Sequence, residues 1–213
     1  MHVRDSSRAA VLHALDLGAR GIIIPDVQSV EEARRLVEYA KYYPLGARGF
    51  AFSRSAKYGF LPELKQIGDY FTATNQRTIL MPQCETAGAL EHIEEIAALD
   101  GIDGIFVGPY DLSVALGAPA RFATPRFAEA LDRVIAACRA SGKLAFIYAN
   151  TRAYFAQGYQ GAPIARIRPF WSRPFRACCR RNGTLQKNAK VRPPRSGNTS
   201  IKSGVIRIGR TPR

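Results

Sequence analysis

The sequence predicts an α/β fold with a parallel sheet, of the kind that closes into a (β/α)8 barrel. Three observations predict it. Short apolar runs alternate with segments of helical periodicity through residues 8–148, the pattern of parallel strands joined by helices. Polar residues collect just after those runs, at the strand ends where barrels carry their chemistry. No GxGxxG or GxxxxGK[ST] follows any run, which removes support for a dinucleotide or P-loop fold.

The elements follow in order. His2-Val3 reads as the end of a strand leading to Arg4. Val11, Leu12, Leu15 and Leu17 form a helical stripe over residues 8–17, closed by Gly18. Gly21 to Pro25 is a fully apolar run suited to a buried parallel strand. Ser29 as N-cap with Glu32 three residues on opens a helix expected to reach about Tyr42 and to stop before Pro44. Residues 78–83 read as a strand, residues 86–99 as one helix, and residues 104–107 as the next strand. Gly108-Pro109-Tyr110-Asp111 leads into a short helix. Thr124 with Pro125 at the first helical position starts a helix to about Ser141, and residues 144–148 form a further strand.

The 213 residues carry a formal net charge of +14, but that charge is not spread evenly. Residues 1–160 hold 17 basic and 17 acidic residues, and residues 161–213 hold the other 14 basic residues and no acid. Six prolines interrupt that last segment, and its arginines follow no helical or strand period. A boundary therefore falls near residue 160, with a domain over 1–160 and a basic, irregular tail over 161–213. No apolar run approaches the roughly 18 residues of a membrane span, and the N-terminus lacks a signal-peptide layout, so a cytoplasmic protein is expected. Cys84 and Cys138 read as small buried hydrophobes, and the adjacent Cys178 and Cys179 match no zinc or disulfide spacing. His13 and His92 read as solvent-facing helical residues and His2 as frayed.

Arg4, Glu85 and Asp111 would rise from one rim, and Glu85 and Asp111 would come from neighbouring strands. Two carboxylates so placed suit Mg²⁺ or Mn²⁺, which take few protein carboxylates and keep positions for water and substrate. A 2-oxo acid would complete such a site, the metal stabilising an enolate, with Arg4 beside the developing oxyanion. The first amides after Gly108-Pro109-Tyr110 would hold a substrate carboxylate. Each residue also has a structural reading: Glu85 as a helix-dipole partner, Asp111 as an N-cap, Arg4 as a solvated side chain.

PQCETAGALEHI (82–93) followed by DGIDGIFVGPYDLSVALG (100–117) resembles the metal-site half of the HpcH/HpaI family, the class II pyruvate aldolases related to the citrate lyase beta subunit. ALDLGARGIIIPDVQSVEEARRLV (14–37) and YYPLGARGF (42–50) support the resemblance, which covers about residues 2–160. It implies a TIM barrel of the phosphoenolpyruvate/pyruvate-binding type and a carbon–carbon lyase that splits 2-oxo-hydroxy acids into pyruvate and an aldehyde. The implied cofactor is a divalent metal, Mg²⁺ or Mn²⁺ with Co²⁺ as a further option, on Glu85 and Asp111. Gln83 matches a glutamine lining the site, and Arg4 the arginine that contacts the pyruvyl group, though its spacing to Asp16-Leu17-Gly18 is short. Gly108, Pro109 and Tyr110 match the segment that holds the substrate carboxylate. Asp16 matches an acidic residue near the site at a subunit contact. Family members are homo-oligomers.

The same resemblance places Met1 after the first two barrel strands and after a histidine-bearing segment that supplies the general base, a role no histidine here fills. About strands three to seven of eight are expected, and residues 161–213 read as a frame-shifted or otherwise divergent end. Two alternatives accompany the aldolase reading. One is a family remnant that keeps the metal and pyruvate half-site without catalysis. The other is nucleic-acid binding through the tail, with Phe170, Trp171 and Phe175 stacking on bases; no motif supports it, and neither nucleic acid nor membrane is expected as a partner.

Overall fold

In the computed structural model, residues 1–148 and 157–160 are described. Four parallel strands lie side by side in chain order: β1 (Gly21–Ile24), β2 (Ile79–Cys84), β3 (Gly104–Val107) and β4 (Leu144–Ile147). The register sets Ile24 beside Pro82, Gln83 beside Phe106, and Phe106 beside Phe146. Sequential parallel order with right-handed crossovers puts every connecting helix on one face of the sheet, as in a barrel wall.

Period-two alternation then divides the strands. Ile22, Ile24, Leu80, Cys84, Ile105, Val107, Ala145 and Ile147 join the main core with the helices. Ile23, Gln83 and Phe106 point to the opposite face and line a cavity there. The helices packed into the main core are α1 (Arg8–Asp16), α2 (Val30–Ala40), α4 (Ala87–Glu91), α5 (Ile93–Ala98), α6 (Pro109–Ala115) and α7 (Pro125–Ala140), while α3 (Ile67–Arg77) packs in a separate aromatic cluster. Cys84 and Cys138 are both buried, and burial pushes their thiols up to about 12 and about 11.

Local signals place most boundaries. Ser29 Oγ accepts from the Glu32 N–H (3.2 Å), while the Glu32 carboxylate takes the Gln28 N–H (2.9 Å), one residue earlier than a strict capping box. Thr124 Oγ1 accepts from the Phe127 N–H, with Pro125 at the first helical position. The helix α2 ends at Ala40, two residues before the expected stop, because Lys41 leaves the helix with extended backbone. Its buried ammonium reaches Thr78 O (2.6 Å), Asn75 O (3.2 Å) and Asp103 (2.8 Å), tying the end of α2 to the starts of β2 and β3.

Three expectations are corrected. The expected first strand at His2-Val3 is a single parallel bridge from His2 to Ile23, so among the described residues four full strands stand where five were expected. It is not frayed: Ile23 N–H donates to Met1 O (2.8 Å) and Val3 N–H to Ile23 O (3.0 Å). The expected helix over 86–99 breaks at His92 (φ −106°, ψ 22°) into α4 and α5. Between Phe50 and Thr78, where the sequence carries no clear period, α3 forms around an aromatic cluster. Tyr42 stacks on Phe71 (4.3 Å, 9°), and the Asn75 amide brackets both polar groups of the Tyr42 backbone (2.7 and 2.9 Å).

On the far edge, Gln160 lies along β4, its N–H donating to Ala145 O (2.8 Å) and its side chain accepting the Ala145 N–H (2.6 Å). The expected tail over 161–213, with Phe170, Trp171, Phe175, Cys178 and Cys179, lies outside the described residues. Among the described residues no helix is long and apolar enough to cross a membrane.

Candidate functional site

The chemistry-bearing side chains meet where β2 and β3 end. Met81 and Gln83 on β2, and Glu85 just past its end, follow one another on the face away from the helices, by strand alternation. Thr86 then turns the chain: its hydroxyl donates to Val27 O (2.6 Å), fastening the end of β2 to the loop after β1, and accepts the Ala89 N–H (3.0 Å) at the start of α4. Glu85 is thereby fixed between two strand ends and is only 8% exposed. Its Oε1 accepts the Asp26 N–H (2.8 Å), and its Oε2 accepts from the Gln83 amide. Asp26 presents that N–H from a left-handed backbone (φ 54°), a conformation that Asp tolerates better than most residues.

Burial raises the Glu85 carboxyl above its ordinary range and the negative charge of Asp111 adds to this, against the Asp26 N–H and the Gln83 amide. Asp111 stands in the first turn of α6 and is exposed. It is not the N-cap: Gly108 holds that place, with no side-chain cap. Asp26, Glu85 and Asp111 line one open cavity of about 450 Å³. Asp111 also lines a second, of about 390 Å³, with His2, Gln83, Phe106, Tyr110 and Tyr148.

Gly108 explains how closely the two strand ends approach. A Cβ there would fall within 2.5 Å of Gln83 Nε2 and even nearer Glu85 Oε2, so only glycine admits the pair. Its N–H is already given to Cys84 O (3.3 Å), and Pro109 has none. Of the expected carboxylate-holding segment, that leaves the first-turn N–H groups of Tyr110 and Asp111.

Two expected residues lie elsewhere. Arg4 is solvated, its side chain 91% exposed and paired with Asp5 (3.0 Å), and it lines neither cavity. Asp16 ends α1 at the opposite, N-terminal end of the sheet, where it pairs with Arg48 (2.9 Å). Arg48 in turn lies over the Tyr42 ring (4.7 Å).

Three further residues reach the site without having been expected there: His2, Asp26 and Tyr148. His2 carries the strongest signal, standing two residues before Arg4 on the same face of an extended chain. Its Nε2 lies 3.0 Å from Gln83 Oε1.

Parallel strands in chain order, with carboxylates at neighbouring strand ends, define the class: an α/β protein of the TIM-barrel type with its candidate site at the C-terminal rim. The chain belongs to the HpcH/HpaI aldolase/citrate lyase family, whose profile matches residues 3–165. It is 37% identical over 143 residues to the 2-keto-3-deoxy-L-rhamnonate aldolase of Salmonella newport (strain SL254), a match covering 66% of this chain and 51% of that protein. The chain thus spans about half the length of the curated relatives it matches. Among solved structures it is similar to an HpcH/HpaI aldolase from Desulfitobacterium hafniense DCB-2, with TM-score 0.68, 31% identity and coverage of 76% of this chain and 62% of that one. A family protein from Burkholderia cenocepacia J2315 gives TM-score 0.67 and 30% identity, with 76% and 65% covered.

Proposed function

We propose that the chain carries the site of a divalent-metal-dependent aldolase, a carbon–carbon lyase that splits 2-oxo-hydroxy acids into pyruvate and an aldehyde. One observation carries the reading: Glu85 and Asp111 come from neighbouring strand ends and face the same cavity. Their donor set fits a hard cation. Among the described residues no three His, Cys, Asp or Glu side chains close into a cage, but Mg²⁺ and Mn²⁺ need only one or two carboxylates and fill the rest with water and substrate. Burial is the main reason the Glu85 carboxyl is raised, and a cation between the two would offset that burial as well as the smaller repulsion from Asp111. When bound, it supplies a Lewis acid for the 2-oxo group.

The chain's own residues do the remaining work. The Gln83 amide and the Asp26 N–H hold Glu85 in one orientation before substrate arrives, as preorganised sites require. The open N–H groups of Tyr110 and Asp111 favour the substrate carboxylate, and the mostly apolar cavity walled by Phe106, Tyr110 and Tyr148 takes the aldehyde portion. Partners are accordingly small 2-oxo acids.

The similarity to a 2-keto-3-deoxy-L-rhamnonate aldolase makes deoxy sugar acids the first substrates to try. Incubation of the chain with such an acid and Mn²⁺ is expected to release pyruvate, and chelation to stop it. Absence of pyruvate with every 2-oxo-4-hydroxy acid tried would refute the proposal.

A further inference from the structure

We infer that the aldehyde subsite of this chain is an aryl slot, shaped for a ring on C4 of the substrate rather than for the hydroxylated carbons of a deoxy sugar acid; the inference rests on the lyase reading above. The slot is the cavity of about 390 Å³, within the size range of small-ligand pockets. Asp111 lines both this cavity and the one lined by Glu85, so the slot is the space next to the carboxylate pair.

Three rings from separate elements form its wall. Phe106 comes from β3 on the face away from the helices and is buried. Tyr148 follows β4 and is held beside β3, its N–H donating to Val107 O (3.1 Å). Tyr110 stands in the first turn of α6. Its ring meets Phe122 edge-on (5.1 Å, 88°), and Phe122 meets Phe127 (5.4 Å), which is buried in the main core. Tyr110 is thus braced from the core, yet 58% of the residue stays exposed. Ile23 and Pro109 add further apolar lining. A phenyl group gains from edge and offset contacts with such rings as well as from the area it buries.

Hydroxyl groups find few partners there. The Gln83 amide is engaged on both sides, its NH₂ with Glu85 and its Oε1 with His2 Nε2 (3.0 Å). The Gly108 N–H goes to Cys84 O, and Pro109 has none. Asp111 serves the cation in the lyase reading. A polyhydroxylated chain is left with the two phenols and the second ring nitrogen of His2, and each hydroxyl turned to the ring faces instead gives up a bond to water.

The cleavage balances without a co-reactant. In 2-oxo-4-hydroxy-4-phenylbutanoate the C4 hydroxyl loses its proton, and the O–H electron pair becomes the second bond of the benzaldehyde carbonyl. The C3–C4 pair moves to C2–C3 as the C2 oxygen takes the carbonyl π pair. A proton from solvent then restores C3, and pyruvate results.

The test gives the full chain, with Mn²⁺, this phenyl acid and 2-keto-3-deoxy-L-rhamnonate. The wild type is expected to cleave the phenyl acid with a kcat/KM at least about tenfold higher. Because an aryl aldehyde is also the easier product to form, the decisive figure is how that ratio moves. Tyr148→Ala should lower it about tenfold and Tyr110→Ala should act in the same direction, while Tyr148→Phe should keep it. Tyr148 lies past the end of β4 and is exposed, so its truncation leaves the core packing in place. A second readout needs neither metal nor turnover: saturation-transfer NMR is expected to show benzyl alcohol, and not glycerol, bound to the wild type and lost from Tyr148→Ala. A ratio unmoved by Tyr148→Ala, a wild-type preference for the rhamnonate, or equal benzyl alcohol signals from the two chains overturns the aryl slot and leaves the lyase reading standing. Pyruvate from neither acid overturns both.

Discussion

Replacing Gly108 with Ala adds one methyl group to the point where the ends of β2 and β3 touch. The Gly108 backbone (φ −93°, ψ 92°) lies where any residue is at ease, so the whole effect is steric. The new Cβ would sit 2.5 Å from Gln83 Nε2, 3.0 Å from Glu85 Cβ and nearer still to Glu85 Oε2. Neither side chain is free to yield, since the Asp26 N–H holds Glu85 and His2 holds Gln83. Overpacking of this kind costs about 1–3 kcal/mol. With a urea slope of about 2 kcal/mol per molar, the unfolding midpoint should fall by roughly 1 M. Because the displaced group is the proposed metal carboxylate, Mn²⁺ affinity should fall with it, by about tenfold or more. Gly68→Ala is the matched control: nothing lies within 4 Å of its Cβ, and it sits inside α3, so it should gain about 0.5–1 kcal/mol. A Gly108→Ala chain with wild-type midpoint and wild-type Mn²⁺ binding would refute the packing argument.

Two further outcomes follow from the charged groups. Lys41→Ala removes the ammonium from two carbonyls and from Asp103, which keeps the Leu80 N–H (2.9 Å); the loss should be about 3 kcal/mol, the low end for a broken buried pair because Asp103 also keeps a third of its surface in water. Urea unfolding checks it, and a loss under about 1 kcal/mol would contradict the role given to Lys41. For Glu85, whose folded carboxyl is raised, the native state binds the extra proton, so this group's contribution is full below the ordinary glutamate pKa and is lost as pH rises through the folded value. Glu85→Gln should therefore leave stability at pH 7 equal or higher while removing metal binding, measured by parallel unfolding curves and Mn²⁺ titration. A marked loss of stability would show Glu85 to be structural.

What the sequence reveals of this site depends on what each residue contributes. Glu85 and Asp111 are legible because a parallel strand fixes where its end points, and a side chain there has few structural duties. Cys84 and the apolar strand residues are legible for the complementary reason, since their burial follows the period. His2 and Arg4 are the hard case. Both lie on the same face of a strand too short to show a period, and only the bridge to Ile23 and the contact with Gln83 choose between them. Asp16 matches its motif, yet the helix that carries it runs away from the rim, which only the crossover geometry reveals. Asp26 serves through its backbone N–H, and side-chain chemistry gives no sign of that. The helix α3 rests on the packing of Tyr42, Phe50, Tyr70 and Phe71, a tertiary cause with no local signature.

The central claim is that Glu85 and Asp111 hold one cation together, and a Mn²⁺ titration of the wild type, Glu85→Ala, Asp111→Ala and the double variant tests it most directly. The expected result is one ion per chain, an affinity at least tenfold weaker in each single variant, and a double variant weakened by less than the sum of the two. Undiminished binding in the double variant would contradict it.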